Sequence, residues 1–208
     1  MLGDYNKYYL PGMTFEECRE SYFLQMVKKK AIMFVDGNNW YHGIKNMVEK
    51  PRSVDFKKLG DHIAEHFDLN IIEIRYYNST PDIDLGEDNY YKHMVFLAGL
   101  KKKGFEVNTN KLKKIRTNNK VIRVEKGIDV MIAVDMINKS ITENQCDCCV
   151  LISGDSDFVP AMRLIKKSKK EVLTVSTLKT YSRELLQGEF RFWILKKNDL
   201  KKCFGGYS

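Results

Sequence analysis

The chain has 208 residues, 43% of them hydrophobic and 30% charged, and a formal net charge of +8. This length and apolar content suit one domain with appendages better than two complete domains. No apolar run approaches the roughly 18 residues needed to span a bilayer, and no basic leader with an apolar segment marks the chain for export, so no membrane association and a cytoplasmic location are expected.

The charge is localised. Residues 101–126 carry ten basic side chains against two acidic ones, Glu106 and Glu125, which accounts for the whole net charge. Basic residues at this density read as a phosphate-backbone footprint, with Lys111, Lys113, Lys114, Arg116, Lys120 and Arg123 as the substrate-binding candidates. The plainer alternative is a solvated lysine-rich face.

In chain order, a leader over residues 1–29 comes first. Its Thr14-Phe15-Glu16-Glu17 matches a capping box and opens an amphipathic stretch to about Val27, a docking helix for a second copy or a protein partner. The body, residues 30–195, contains apolar runs at 31–36, 71–79, 105–109, 148–153 and 171–177. These are short, β-branched and unalternating, as buried parallel strands are. Helix-like stretches near 39–49, 55–67, 87–103, 129–139 and 158–169 lie between them. Such alternation predicts an α/β fold, a three-layer sandwich with a central parallel sheet of about five strands.

Within the body, Lys and Asn interleave with apolar residues over 107–126 and Thr117-Asn118-Asn119 offers a turn, which predicts a basic hairpin or strand extension. A short helix over 181–187 and an edge strand over 190–195 follow, then a short basic tail, 196–208, whose end is expected to be loose. The five cysteines, three of them at Cys146, Cys148 and Cys149, read as reduced thiols packed in a strand.

Two strand runs end in aspartate: 31–36 at Asp36, and 148–153 just before Gly154-Asp155-Ser156-Asp157. Open doubly wound sheets bind ligands at the carboxyl ends of strands where strand order reverses. If these two strands are neighbours, their carboxylates face one another across one crevice, and Asp129, at the start of a helix, points to the same place. Singly, Asp36, Asp129 and Asp157 are each explained as helix caps. Together, Asp36, Asp129, Asp155 and Asp157 repel one another unless a cation neutralises them, which suits Mg²⁺ or Mn²⁺ with hard oxygen ligands.

The chemistry natural to such a site is metal-assisted phosphodiester hydrolysis. Asn39 is placed to cap the following helix and brace a ligand, and Lys126 to touch the scissile phosphate. Asp135, six residues beyond Asp129 and about 120° round the helix, is an outer residue at most. Of the aromatic pairs, Trp40 beside Asp36 is the candidate for stacking a base.

The blocks FVDGNNWYHG (34–43), KGIDVMIAVDMI (126–137) and LISGDSDFVPAMRLIKKSKKEV (151–172) together resemble, in order, the NYN domain of the PIN-like nuclease superfamily, in its LabA-like branch. The resemblance implies a PIN-like sandwich, a carboxylate-held Mg²⁺ or Mn²⁺, and cleavage of RNA. It places Asp36, Asp129, Asp155 and Asp157 at the metal positions, and Asn39 and Asp135 at further polar positions. The leader and the basic stretch lie outside the shared pattern.

Three rival readings differ in class. An RNA-binding or assembly module would keep the pocket with little catalysis. Asp155-Ser156-Asp157 also fits the nucleophile motif of haloacid-dehalogenase-like phosphatases, but leaves Asp36 and the basic stretch without a role. His62-Ile63-Ala64-Glu65-His66 fits an inverted zinc-protease pattern that lacks a third ligand.

Overall fold

The structure, a computed structural model, describes residue 14 and residues 28–117, 120–124, 126–186 and 189–204. The leader helix expected after Thr14 lies outside the described residues. The strands are β1 (Lys29–Asp36), β2 (Leu69–Thr80), β3 (Glu106–Lys111), β4 (Lys113–Thr117), β5 (Lys120–Val124), β6 (Cys148–Ile152), β7 (Glu171–Thr177) and β8 (Arg191–Leu195). The helices are α1 (Gly37–Ile44), α2 (Phe56–Phe67), α3 (Glu87–Lys102), α4 (Ile128–Ile137), α5 (Val159–Lys167) and α6 (Lys197–Lys202).

β1 begins with two exposed lysines and then buries every residue from Ala31 to Asp36. A strand buried on both faces needs helices on both faces, and alternation along β1 shows how they are shared. Ala31, Met33 and Val35 pack with Trp40 and Ile44 of α1, Leu59 and Ile63 of α2 and Leu97 of α3. Ile32 and Phe34 pack with Ile128, Ile132 and Met136 of α4 and with Met162 and Ile165 of α5. Each Val, Leu, Ile, Met or Phe among them, buried fully, contributes about 1.5–3 kcal/mol relative to exposure.

The sheet has six strands in the order β3-β2-β1-β6-β7-β8. All its pairings are parallel. The three-layer α/β sandwich is thus present, with β8 at one edge making six strands where the sequence suggested about five. Strand order runs outward in one direction from β1 and in the other from β6, so the reversal falls between them.

β4 and β5 form a separate antiparallel hairpin, pairing Lys113 with Val124 and Thr117 with Lys120. The expected basic hairpin therefore exists. Its position follows from its flanks: β3 ends at Lys111 opposite Thr80 of β2, at the carboxyl edge of the sheet. The return from β5 leads through Gly127 directly into α4. The side-chain amide of Asn110 donates to the carbonyl of Lys126 at 2.9 Å, tying the two flanks together.

Of the stretch expected to be loose, 201–208, residues 201–204 are described, and they are docked on the domain. Leu200 of α6 and Cys203 are fully buried, and Phe204 bridges to Val54. Leu200 and Cys203 are three residues apart on one side of a short helix, an apolar stripe masked in the sequence by lysines at 196, 197, 201 and 202. At the other end of the interrupted sequence patterns, α4 continues into a π-helical turn, Asn138–Thr142.

Polar contacts fix α4 against β2. The Tyr77 hydroxyl donates to Asp135 Oδ2 at 2.7 Å, and Arg75 reaches the same oxygen at 3.1 Å while also pairing with Glu73. Burial, reinforced by the bond to Asp135, holds the Tyr77 phenol far above its ordinary pKa, so it remains a donor. Asp135→Ala should lower stability by about 1–3 kcal/mol in urea unfolding, because it strips a buried hydroxyl and a guanidinium of a shared acceptor. Tyr77→Phe should cost less, about 1 kcal/mol.

Candidate active site

The crevice forms where β1 and β6 lie side by side, Val35 opposite Ile152. Asp36 leaves the end of β1 and caps α1, its Oδ1 accepting from the Asn39 amide at 3.0 Å. The carboxylate is 4% exposed, so burying its charge requires compensating donors. One comes from across the switch point: Ser153 Oγ donates to Asp36 Oδ2 at 3.1 Å. The same hydroxyl accepts from the Asp155 amide at 3.3 Å. Ser153 thereby joins the two strand-end aspartates through one oxygen.

Asn39 makes a second stitch. Its side-chain oxygen accepts from the Gly154 amide at 3.2 Å, so of the two tasks expected of this side chain it does the bracing, against the β6 loop, while the cap of α1 is Asp36, to which Asn39 gives only its backbone N–H. Asp155 caps the short turn Ser156–Phe158 by accepting from the Asp157 amide at 3.0 Å.

Two glycines permit this closeness. A Cβ on Gly37 would stand 2.4 Å from the Tyr76 hydroxyl and 2.8 Å from the Tyr77 carbonyl. On Gly154 it would stand 2.3 Å from the Thr180 carbonyl and 2.4 Å from Tyr181 Cα. Backbone blocks the second position, so no side-chain rotation makes room.

Asp129 lies in the first turn of α4. Its pKa is raised above the ordinary carboxylate value, first by partial desolvation and then by the charges of Asp155 and Asp157. Three of the four sequence-derived aspartates therefore share one electrostatic neighbourhood, and the fourth, Asp36, is hydrogen-bonded into the loop that carries two of them. Among the described residues no three His, Cys, Asp or Glu side chains close round one point at metal-ligand spacing. The carboxylates stand beside one another without gripping a common centre. Their chemistry still fits a hard cation: all are oxygen donors, and the repulsion felt at Asp129 is the kind a divalent ion removes.

The other sequence-derived residues divide. Asp135 is turned to Arg75 and Tyr77, so it positions α4. Trp40 is 5% exposed and packs against Phe56 at 5.8 Å between centroids, which corrects its reading as an open stacking platform. The sequence reading missed that a tryptophan one helical turn into α1 faces the core. Lys111 and Lys126 are exposed. Lys113, Lys114, Arg116, Lys120 and Arg123 are placed by backbone register alone, on the hairpin between β3 and α4. The sequence also passed over Ser153, whose signal was only its place between a strand and an aspartate pair.

The remaining motif residues serve packing. His66 stacks on Trp193 at 4.0 Å and His62 meets the same indole edge-on, which gives the histidine pair a structural use. Cys146, Cys148 and Cys149 are buried free thiols, and burial first pushes the Cys148 thiol up to about 12.

A parallel sandwich with carboxylates at its switch point defines a Rossmann-like domain with an acidic crevice. The NYN domain family model matches residues 30–195, and the chain belongs to that family, part of the PIN-like nuclease superfamily. It is also similar to the Low amplitude and bright protein LabA of Synechococcus elongatus (strain ATCC 33912 / PCC 7942 / FACHB-805), 25% identical over 174 residues that cover 83% of this chain and 86% of that one. No helix among the described residues is long and apolar enough to cross a membrane.

The electrostatics at Asp129 give a stability prediction. A carboxyl with a raised folded-state pKa favours the folded state when protonated, and that contribution is lost as pH rises through the folded value. Asp129→Asn should therefore melt above wild type at pH 7 in chelator, and the gap should close below about pH 4, where the wild-type carboxyl is protonated. Mn²⁺ should raise the wild-type melting temperature more than that of the variant.

Proposed function

We propose that this domain hydrolyses RNA phosphodiester bonds with Mg²⁺ or Mn²⁺ held by Asp36, Asp129, Asp155 and Asp157. The observation that carries the reading is the raised pKa of Asp129 beside Asp155 and Asp157 at the β1/β6 switch point. A divalent ion bound there supplies phosphate charge neutralisation and acidification of attacking water. The chain's own residues supply the rest. Ser153 and the Asn39 backbone amide fix the orientation of the Asp36 carboxylate by donating to its two oxygens. The Asn39–Gly154 bond keeps the Asp155 loop against α1, so the acidic groups keep their spacing.

Membership in the PIN-like superfamily supports RNA as the substrate class. The hairpin supports it independently. It springs from the carboxyl edge of the sheet and leads into the helix bearing Asp129, and we take this course to bring a basic track towards the acidic groups. Carboxylates alone repel a polyanion, so Lys111, Lys113, Lys114, Arg116, Lys120 and Arg123 are assigned to the RNA backbone, with Lys126 nearest the scissile phosphate. Cleavage within the strand is part of this proposal.

A second reading is favoured by one observation: the Asp36 carboxylate already accepts from two protein groups. A domain satisfied in this way would bind RNA and cleave little. Incubating purified protein with single-stranded and structured RNA in Mn²⁺, Mg²⁺ or chelator separates the two. Metal-dependent cleavage should fall at least about a hundredfold in Asp155→Asn/Asp157→Asn. Equal cleavage by variant and wild type would sink the catalytic assignment, and binding without cleavage by wild type would favour the module.

The basic track has its own test. Single-stranded RNA affinity falls with log salt at a slope of about 0.7 per phosphate contact. Neutralising Lys111, Lys113, Lys114 and Arg116 together should flatten the slope by up to about 2.8. An unchanged slope would remove the hairpin from the track.

A further inference from the structure

In the layer of α1, α2 and α3, Gly37, Trp40, Tyr76, His93 and Phe96 line a cavity of ≈100 Å³, with Arg52 also in its wall. Trp40 is 5% exposed and His93 7% exposed. Trp40 Nε1 and His93 Nε2 are both buried without a hydrogen-bond partner. A buried polar group without a partner is costly, and the two residues that carry these nitrogens both line this one cavity, which calls for an occupant that satisfies both. Burial, and secondarily Arg52, lowers the His93 pKa, so its ring is neutral at pH 7 and Nε2 either donates or accepts. The Trp40 indole only donates.

The walls are aromatic. Phe56 and Tyr76 lie 5.4 Å apart between centroids, and Tyr76 and Phe96 5.6 Å. A flat, polar-edged ring suits such a space. The volume is below the range of about 300–1,000 Å³ for drug-sized ligands and matches one six-membered ring better than a fused bicycle.

We propose that this cavity is a base pocket that takes one pyrimidine of single-stranded RNA beside the scissile phosphate, with Trp40 Nε1–H and His93 Nε2 reading its edge. The exocyclic O2 common to uracil and cytosine is an acceptor for the indole. The neutral imidazole answers either the N3–H of uracil or the bare N3 of cytosine by choice of tautomer. Arg52, exposed at the surface, meets the adjoining backbone. The proposal rests on RNA being the substrate and deepens that reading by assigning a specificity-determining pocket.

The chain holds two tryptophans, so Trp193→Phe leaves Trp40 as the reporter. With Ca²⁺ replacing Mg²⁺, an oligouridylate should quench Trp40 emission, while an abasic strand of equal length should not. The abasic strand should bind at least about fivefold more weakly, since it lacks the ring that fills the pocket. His93→Phe, which fills the cavity, should abolish the quench, and an oligoadenylate should bind more weakly than the oligouridylate. Should Trp193→Phe fail to fold, the fluorine resonance of a 5-fluorouridine strand on the wild-type chain reads the same event, and should shift and broaden on binding. RNA that binds with Trp40 emission and the fluorine resonance unchanged, or equal affinity for the abasic strand, overturns the pocket and leaves a water-filled cavity. Metal-dependent cleavage alongside an unchanged Trp40 would discard the pocket alone. Quenching without cleavage would uphold the pocket and discard the catalysis.

Discussion

The hydrogen bond from Ser153 to Asp36 depends on β1 and β6 being adjacent, and the rest of the site depends on that adjacency. Two strands far apart in sequence meet in parallel at the centre of the sheet, and each delivers an acidic loop to the same edge. Burying the Asp36 carboxylate at 4% exposure would be costly without donors. Ser153 and the Asn39 amide provide them, and in doing so they fix where Asp155 begins.

From this centre the two helical layers take different parts. The layer of α1 to α3 packs densely against β1 and encloses Trp40, His93 and the cavity between them. The layer of α4 and α5 carries Asp129, and the Arg75–Tyr77–Asp135 contacts pin α4 to β2. Asp129 is thus held near Asp155 and Asp157 by interactions well below the crevice, and its raised pKa records the resulting repulsion. In the proposed function a cation would relieve that like-charge repulsion, and the hairpin between β3 and α4 would bring the opposite charge for a polyanion.

The strands were legible because each buried run is short, β-branched and bounded by breakers, and Asp36 and Asp155 were legible because those runs end at them. The hairpin was legible from its charge and its turn residues. What the sequence hid was contact across the sheet. Nothing local ties Ser153 to Asp36, Asn39 to Gly154 or Tyr77 to Asp135, since the partners lie between 58 and 117 residues apart. Trp40 was misjudged because proximity to Asp36 in sequence does not say which face of α1 it occupies. The docking of α6 was obscured by lysines flanking one leucine and one cysteine.

The proposed function requires the aspartates at the β1/β6 switch point to bind one shared divalent ion. Anomalous scattering from a crystal of the full chain soaked in Mn²⁺ tests it most directly. The expected result is a peak in the crevice with carboxylate oxygens of Asp129 and Asp155, and of Asp36 or Asp157, turned in at about 2.0–2.6 Å. A saturating soak with Mn²⁺ bound only elsewhere, and these carboxylates still lying side by side, would contradict it.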